Sequence, residues 1–180
     1  MNLTAIDHTL FQFINQHWTN PVFDTICPLL RNKLTWVPCY ILGAIWIKRK
    51  YPDHFRTIVF SVAVCIFFSD QGSNLMKWYF HRLRPCAVGE VRLLVAHCSN
   101  SFSFTSNHAA NHMALAVLLS LFFRRLWFSG VIIGWALLVG FSQVYVGLHY
   151  PADVICGALW GAWVALVVFA MARKRMAYNL

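Results

Sequence analysis

Residues 126–148 read LWFSGVIIGWALLVGFSQVYVGL, and residues 152–172 read ADVICGALWGAWVALVVFAMA. Each approaches or exceeds the roughly 20 apolar residues that cross a hydrocarbon layer as a helix. Working outward, Asn107–Phe123 is a little shorter. Phe55–Tyr79 is long enough but turns polar at Ser69–Asn74, and Leu34–Ile47 is short and is expected to begin slightly earlier. The composition agrees. Hydrophobic residues make up 59% and charged residues 12%, where a soluble domain carries about 25% charged. Eight tryptophans suit a chain whose aromatic side chains settle at a membrane–water interface.

The expected fold is all-α, a polytopic transmembrane helical bundle of five to six spanning helices plus an N-terminal amphipathic helix. That amphipathic helix covers Met1–Trp18, with Leu3, Ile6, Leu10, Phe13 and Ile14 at helical spacing; it can lie in the interface rather than span. Pro21–Leu30 is too short to span alone. Met1–Leu10 has no basic patch, so no removable signal peptide is expected. The chain, 1–180, reads as one domain, with its chemistry between residues 69 and 153.

A formal charge of +9 suggests nucleic acid, but the placement of the charges argues for no nucleic-acid partner. Lys48, Arg49, Lys50 and Arg56 lie between two apolar runs, Arg124 and Arg125 between the next two, and Arg173, Lys174 and Arg175 after the last. Alternate threading puts all of these on one side, which the positive-inside rule makes the cytoplasm. The opposite side then receives Phe80–Ser106 and the short Gly147–Pro151 connection. There Lys77, Arg84 and Pro85, Ser106, Asn107 and His108, Ser142 and Gln143, His149 and Asp153 converge from four segments.

Each residue type has a physical task. Lys77 and Arg84 are cations able to hold a phosphate, Arg through a planar fork. Ser106 is a good N-cap, so the first N–H groups of the next helix form an anion site. Asp153 is close enough to His149 to accept from one ring nitrogen, fix the tautomer and leave the other free to attack. His108 can supply the proton a departing alkoxide needs.

Lys77–x6–Arg84–Pro85, then Thr105–Ser106–Asn107–His108, then Ser142–Gln143–x5–His149–x3–Asp153 resemble the three-part signature of the type-2 phosphatidic acid phosphatase superfamily, whose fold is shared with vanadium haloperoxidases. The resemblance runs from Phe55 to the end of the chain. It implies a membrane lipid phosphatase in which His149 forms a phosphohistidine, Asp153 orients it, and His108 protonates the leaving oxygen and then activates water. Lys77, Arg84, Ser106 and the Asn107 backbone N–H would hold the phosphoryl oxygens. No metal and no cofactor is implied, and six carboxylates without a cluster suit that.

Two departures stand out. Asn107 replaces a glycine of the family pattern, which is expected to narrow the pocket. Gln143 replaces an arginine, and a neutral amide cannot replace a bidentate cation. Arg82 and Arg92 are spare cations in the same loop, and one of them is expected to compensate. Gln143 also supports the rival reading, a non-catalytic lipid-phosphate binding or transport protein with a lapsed site. His108 and His112, four apart on a helix, allow a third reading as a zinc site; the plainer role of His112 is a bundle contact or groove residue. Asp70, inside a spanning helix, is either support for the site or an interhelical hydrogen bond. Ser142 stands beside Gln143 as an auxiliary.

Cys86 and Cys98 share the outer loop and can close it with a disulfide in an oxidising periplasm; two free thiols are the alternative. Cys27, Cys39, Cys65 and Cys156 read as packing residues. His8 is placed away from the constellation. Trp78, Trp127, Trp160 and Trp163 read as lipid-facing or interfacial, and Gly157 and Gly161 as a packing contact. The expected setting is a bacterial inner membrane with the site facing the periplasm. The expected partners are the bilayer and a lipid phosphate: a polyprenyl diphosphate, phosphatidylglycerol phosphate, phosphatidate or lipid A type.

Overall fold

The computed structural model describes residues 2–89 and 91–177, with side chains given up to residue 173. Lys174 and Arg175 of the basic patch therefore lie outside the described side chains. Eight helices follow one another: α1 (Leu3–Gln12), α2 (Pro21–Arg31), α3 (Lys33–Lys50), α4 (Phe55–Phe80), the short α5 (Pro85–Val88), α6 (Asn107–Phe123), α7 (Leu126–Tyr145) and α8 (Pro151–Ala177). Among the described residues, three stretches are long and apolar enough to cross a membrane: 52–88, 126–145 and 151–173. The protein is thus an all-helical membrane protein.

The N-terminal expectation changes in detail. The first helix stops at Gln12 and passes into a π-turn at Phe13–His17, and Pro21 opens a second helix at its N1 position, where a missing N–H costs nothing. α3 starts at Lys33, one residue before the apolar run.

α6 is the central helix and packs against α8, α7 and α4. Lipid offers no hydrophobic drive between helices, so close backbone approach must supply the packing. Ala109, Ala110, Ala114 and Ala116 of α6 are buried, facing Gly157 and Gly161 of α8. A Cβ at Gly161 would sit 2.0 Å from the Ala110 carbonyl oxygen, and one at Gly157 would sit 2.7 Å from that of Ser106. The two glycines are therefore the seam between α6 and α8.

Trp160 departs from its lipid-facing expectation. Its Nε1 donates to the Ser69 carbonyl at 3.0 Å, and its ring fills the notch left by Gly72. Trp78, Trp127 and Trp163 are exposed. Among the four remaining cysteines Cys27 and Cys65 are buried, whereas Cys39 is exposed.

The helices alternate so that the C-terminal ends of α4 and α7 and the N-terminal ends of α6 and α8 meet at one end of the bundle. At the other end Trp46, Lys50, Tyr51, Phe123, Arg125, Trp127 and Phe128 line a cavity of about 410 Å³, which brings two of the basic connections together.

Candidate active site

Local chemistry fixes the first turn of α8. Helix N-termini leave N–H groups without internal partners. Asp153, third in the helix, accepts from the Tyr150 N–H at 2.9 Å, in the manner of a capping-box acid. Asp7 reaches across from α1 and accepts from the Ala152 N–H at 2.8 Å. Both carboxylates share one guanidinium, Arg82, at 2.7 Å for Asp153 and 2.6 Å for Asp7. Arg82 also lies 4.1 Å from the centre of the Tyr150 ring. His8, expected away from the site, stacks on the other partner of this group, with its ring 4.6 Å from that of Tyr150; the helix that carries Asp7 brings it there.

His149 precedes this turn and is 3% exposed. An Arg84 nitrogen lies 2.9 Å from its Nε2. A guanidinium only donates, so Nε2 is unprotonated and its lone pair accepts from Arg84, and Nδ1 carries the proton. Nδ1 faces Ser103 Oγ at 3.3 Å and the Asp153 carboxylate at 3.6 Å. The direct hydrogen bond expected between His149 and Asp153 is therefore relayed: Ser103 Oγ donates to Asp153 and stands beside Nδ1. Burial pushes the His149 imidazole down to about 3, with Asp153 opposing and Arg84 and Lys77 adding to the shift. The ring is neutral near pH 7.

Arg84 also donates to the carbonyls of Ser101 and Leu148 and to Ser101 Oγ. Lys77 donates to the carbonyls of Ser103 and Thr105. Ser106 caps α6, accepting from Ala109 N–H at 3.4 Å, while its own N–H donates to the Asp153 carbonyl at 3.0 Å. These contacts lock the 101–106 strip against the ends of α4 and α8. Cys86 and Cys98 are joined by a disulfide, which closes the stretch of chain that leads into that strip.

Other expectations are redirected. The Asn107 side chain turns to α4, donating to Asp70 at 2.8 Å and Asn74 at 2.9 Å. Asp70 also accepts from Asn111 at 3.0 Å, so it ties α4 to α6. Gln143 is wholly buried; its amide nitrogen spans 3.4 Å to the Val139 carbonyl and 3.3 Å to Ser142 Oγ. Its backbone carbonyl accepts from the Leu148 and His149 N–H groups, so its clearest service is to hold the histidine turn. Ser142 Oγ donates back to Val139.

Neither spare cation stands where compensation requires it. Arg82 is outnumbered by its two carboxylates. Arg92 is bonded to Asp24, whose carboxylate also accepts from Tyr145 at 2.6 Å; the Arg92 hydrogen bond comes first among the causes holding Asp24 below the usual carboxylate range. The buried Asn15 completes this outer tie, bonding the Arg92 backbone and the Tyr145 carbonyl.

His108 opens α6 and donates to the backbone carbonyl of Arg31. Its ring stacks 6.2 Å from that of His112. One His112 nitrogen lies 2.8 Å from the His108 carbonyl, the other 3.5 Å from Tyr40 Oη, and the ring leans on Trp135 at 4.8 Å. That is a bundle contact at the rim of the site.

Sequence reading missed Ser103, Asp7 and Arg31. Ser103 lies in the run SFSFTS and has no motif of its own. Asp7 carried a signal, being one of only six carboxylates and set in an apolar-patterned helix.

A neutral imidazole with an unprotonated Nε2, a guanidinium at that nitrogen, a buried carboxylate behind it and a second histidine at a helix start make up a candidate phosphoryl-transfer site on a helical membrane scaffold. The comparisons agree. The model of the PAP2 superfamily matches residues 56–177. The chain is 31% identical over 179 residues to the lipid A 4'-phosphatase of Bacteroides thetaiotaomicron, covering 96% of this chain and 79% of that one. It is 36% identical over 139 residues to the undecaprenyl-diphosphatase BcrC of Bacillus subtilis, covering 76% and 68%. The crystal structure of LpxE from Aquifex aeolicus superposes with a TM-score of 0.77 at 23% identity, covering 92% of this chain and 96% of that one, which shows the shared fold. The chain belongs to the PAP2 superfamily, and it is a membrane lipid phosphatase of that family.

Proposed function

We propose that this protein hydrolyses a lipid phosphate through a phosphohistidine, with the whole chain acting as one domain. The observation that carries the reading is the Arg84–His149–Ser103–Asp153 chain, in which an always-protonated donor marks Nε2 as the attacking atom. His149 Nε2 attacks phosphorus, the P–O bond to the lipid breaks, and His108 gives its proton to the leaving oxygen. Water then attacks the phosphohistidine; His108 takes the water proton, the P–N bond breaks and phosphate leaves. Asp153, through Ser103, favours the imidazolium character that develops at His149. Lys77, Arg84, Ser106 and the N–H groups opening α6 hold the phosphoryl oxygens. Arg84 lies where an incoming phosphoryl group must sit, since its guanidinium already touches the attacking atom.

The near-full-length similarity to a lipid A 4'-phosphatase supports a phosphorylated saccharide lipid as first substrate, ahead of undecaprenyl diphosphate, phosphatidylglycerol phosphate and phosphatidate. We place the protein in a bacterial inner membrane, with five to six spans, α3 and α6 included, and the site facing the periplasm. The basic connections at the opposite end of the bundle support that orientation.

The test is phosphate release from this lipid panel by detergent-purified protein, beside His149→Ala. Turnover of one lipid class, lost by on the order of 10³-fold or more in the variant, is expected for removal of a nucleophile. Binding of the same lipids without release, unchanged in His149→Ala, would instead favour the binding or transport reading.

A further inference from the structure

The site described above is short of positive charge on one side. Arg82 is neutralised by two carboxylates, Arg92 is held by Asp24, and Gln143 contributes a neutral amide. One more arginine comes from an unforeseen direction. α2 ends at Arg31, and the carbonyls of a last helical turn need outside partners. The Leu30 carbonyl takes the Trp36 indole N–H at 2.7 Å, and the Arg31 carbonyl takes the His108 ring. The end of α2 is thereby pinned against the proton-transfer histidine.

The Arg31 side chain lies within electrostatic reach of both His108 and Arg84. Its Nε–H is buried with no hydrogen-bond partner, and among the described residues it forms no ion pair. An unpaired guanidinium donor is costly to bury, so its retention calls for an anion. We propose that Arg31 is a phosphate-gripping residue of this site and supplies the cation that Gln143 does not. Arg31 then faces the substrate from the His108 side while Arg84 faces it from the His149 side. The phosphoryl group is clamped between two guanidiniums, as its charge requires. The backbone of the same residue sets the ring of His108. This inference rests on the phosphatase reading and adds to it a further segment of chain, outside the matched family region, residues 56–177.

The experiment uses the full-length protein in detergent, the lipid panel and orthovanadate as a phosphate mimic. Arg31→Gln and Arg31→Met are compared with Lys33→Gln, which removes an exposed charge two residues away. Loss of one such donor is expected to cut kcat/KM on the order of 10²-fold and to weaken vanadate binding about tenfold. Lys33→Gln should match wild type, as should the melting temperatures without vanadate. The double variant Arg31→Gln/Gln143→Arg should regain part of the lost vanadate affinity, because it returns a cation to the same anion. Either folded Arg31 variant decides the matter. Wild-type kcat/KM and vanadate affinity in such a variant would overturn the assignment of Arg31 alone. A wild type that neither cleaves any lipid nor binds vanadate would overturn the phosphatase reading, and this inference with it.

Discussion

His149 illustrates how one residue ties stability to chemistry. Its folded pKa, about 3, lies below its ordinary 6.5. Between those values the unfolded chain binds the extra proton, so stability is full above about pH 6.5 and is lost as the pH falls toward 3. The expected outcome is a melting temperature that drops more steeply between about pH 7 and pH 4 in wild type than in His149→Gln, read by differential scanning fluorimetry. Ser103 is the other residue whose role can be isolated. It stands between Nδ1 and Asp153, so Ser103→Ala should lower kcat by about tenfold, the rate equivalent of one hydrogen bond of about 1.4 kcal/mol, with KM little changed. A shift in KM alone would argue against this orienting role.

At the scale of elements, the α6–α8 seam and the α4–α8 notch make a contrast. A Cβ at Gly161 meets backbone, the Ala110 carbonyl at 2.0 Å, whereas one at Gly72 meets the Trp160 ring at 2.2 Å. Backbone cannot step aside without moving the helix, while a half-buried side chain can change rotamer. Gly161→Ala should therefore cost more, about 3 kcal/mol against about 1 kcal/mol for Gly72→Ala, measured by thermal unfolding in detergent. The seam also carries Ser106, so Gly161→Ala should lower activity in the fraction that folds. α2 is held differently. Tyr145 Oη donates to Asp24 and accepts from the Asn20 N–H, and Tyr145→Phe should destabilise by about 1 kcal/mol while loosening the end that bears Arg31.

For the whole molecule, the Cys86–Cys98 bond couples the site to its compartment. A thiol pair stays reduced in the bacterial cytoplasm and oxidises outside it. Alkylation of protein taken directly from cells should leave these two cysteines unmodified without reductant and label them after it. Labelling of both without reductant would place the site on the cytoplasmic side. Cys86→Ser/Cys98→Ser should cost about 2–3 kcal/mol, as a loop of this length allows, and should weaken substrate binding, because the closed loop leads directly into Ser101 and Ser103.

Much of this protein was legible as sequence. Apolar run length fixes which segments can span, because lipid hydrogen-bonds no backbone. Charge asymmetry sorts the connections between two faces, and the spacing of Lys77, Arg84, His108, His149 and Asp153 places them at one face. Those are local or one-dimensional constraints. Tertiary structure alone decided which partner each polar group takes: Asp7 crossing from α1 to cap α8, Ser103 entering between His149 and Asp153, Arg92 drawn off to Asp24, and Arg31 arriving beside His108. A buried polar group must pair with whatever the packed helices bring within about 3 Å, and that distance is set by helix crossing in three dimensions, where sequence separation carries no information.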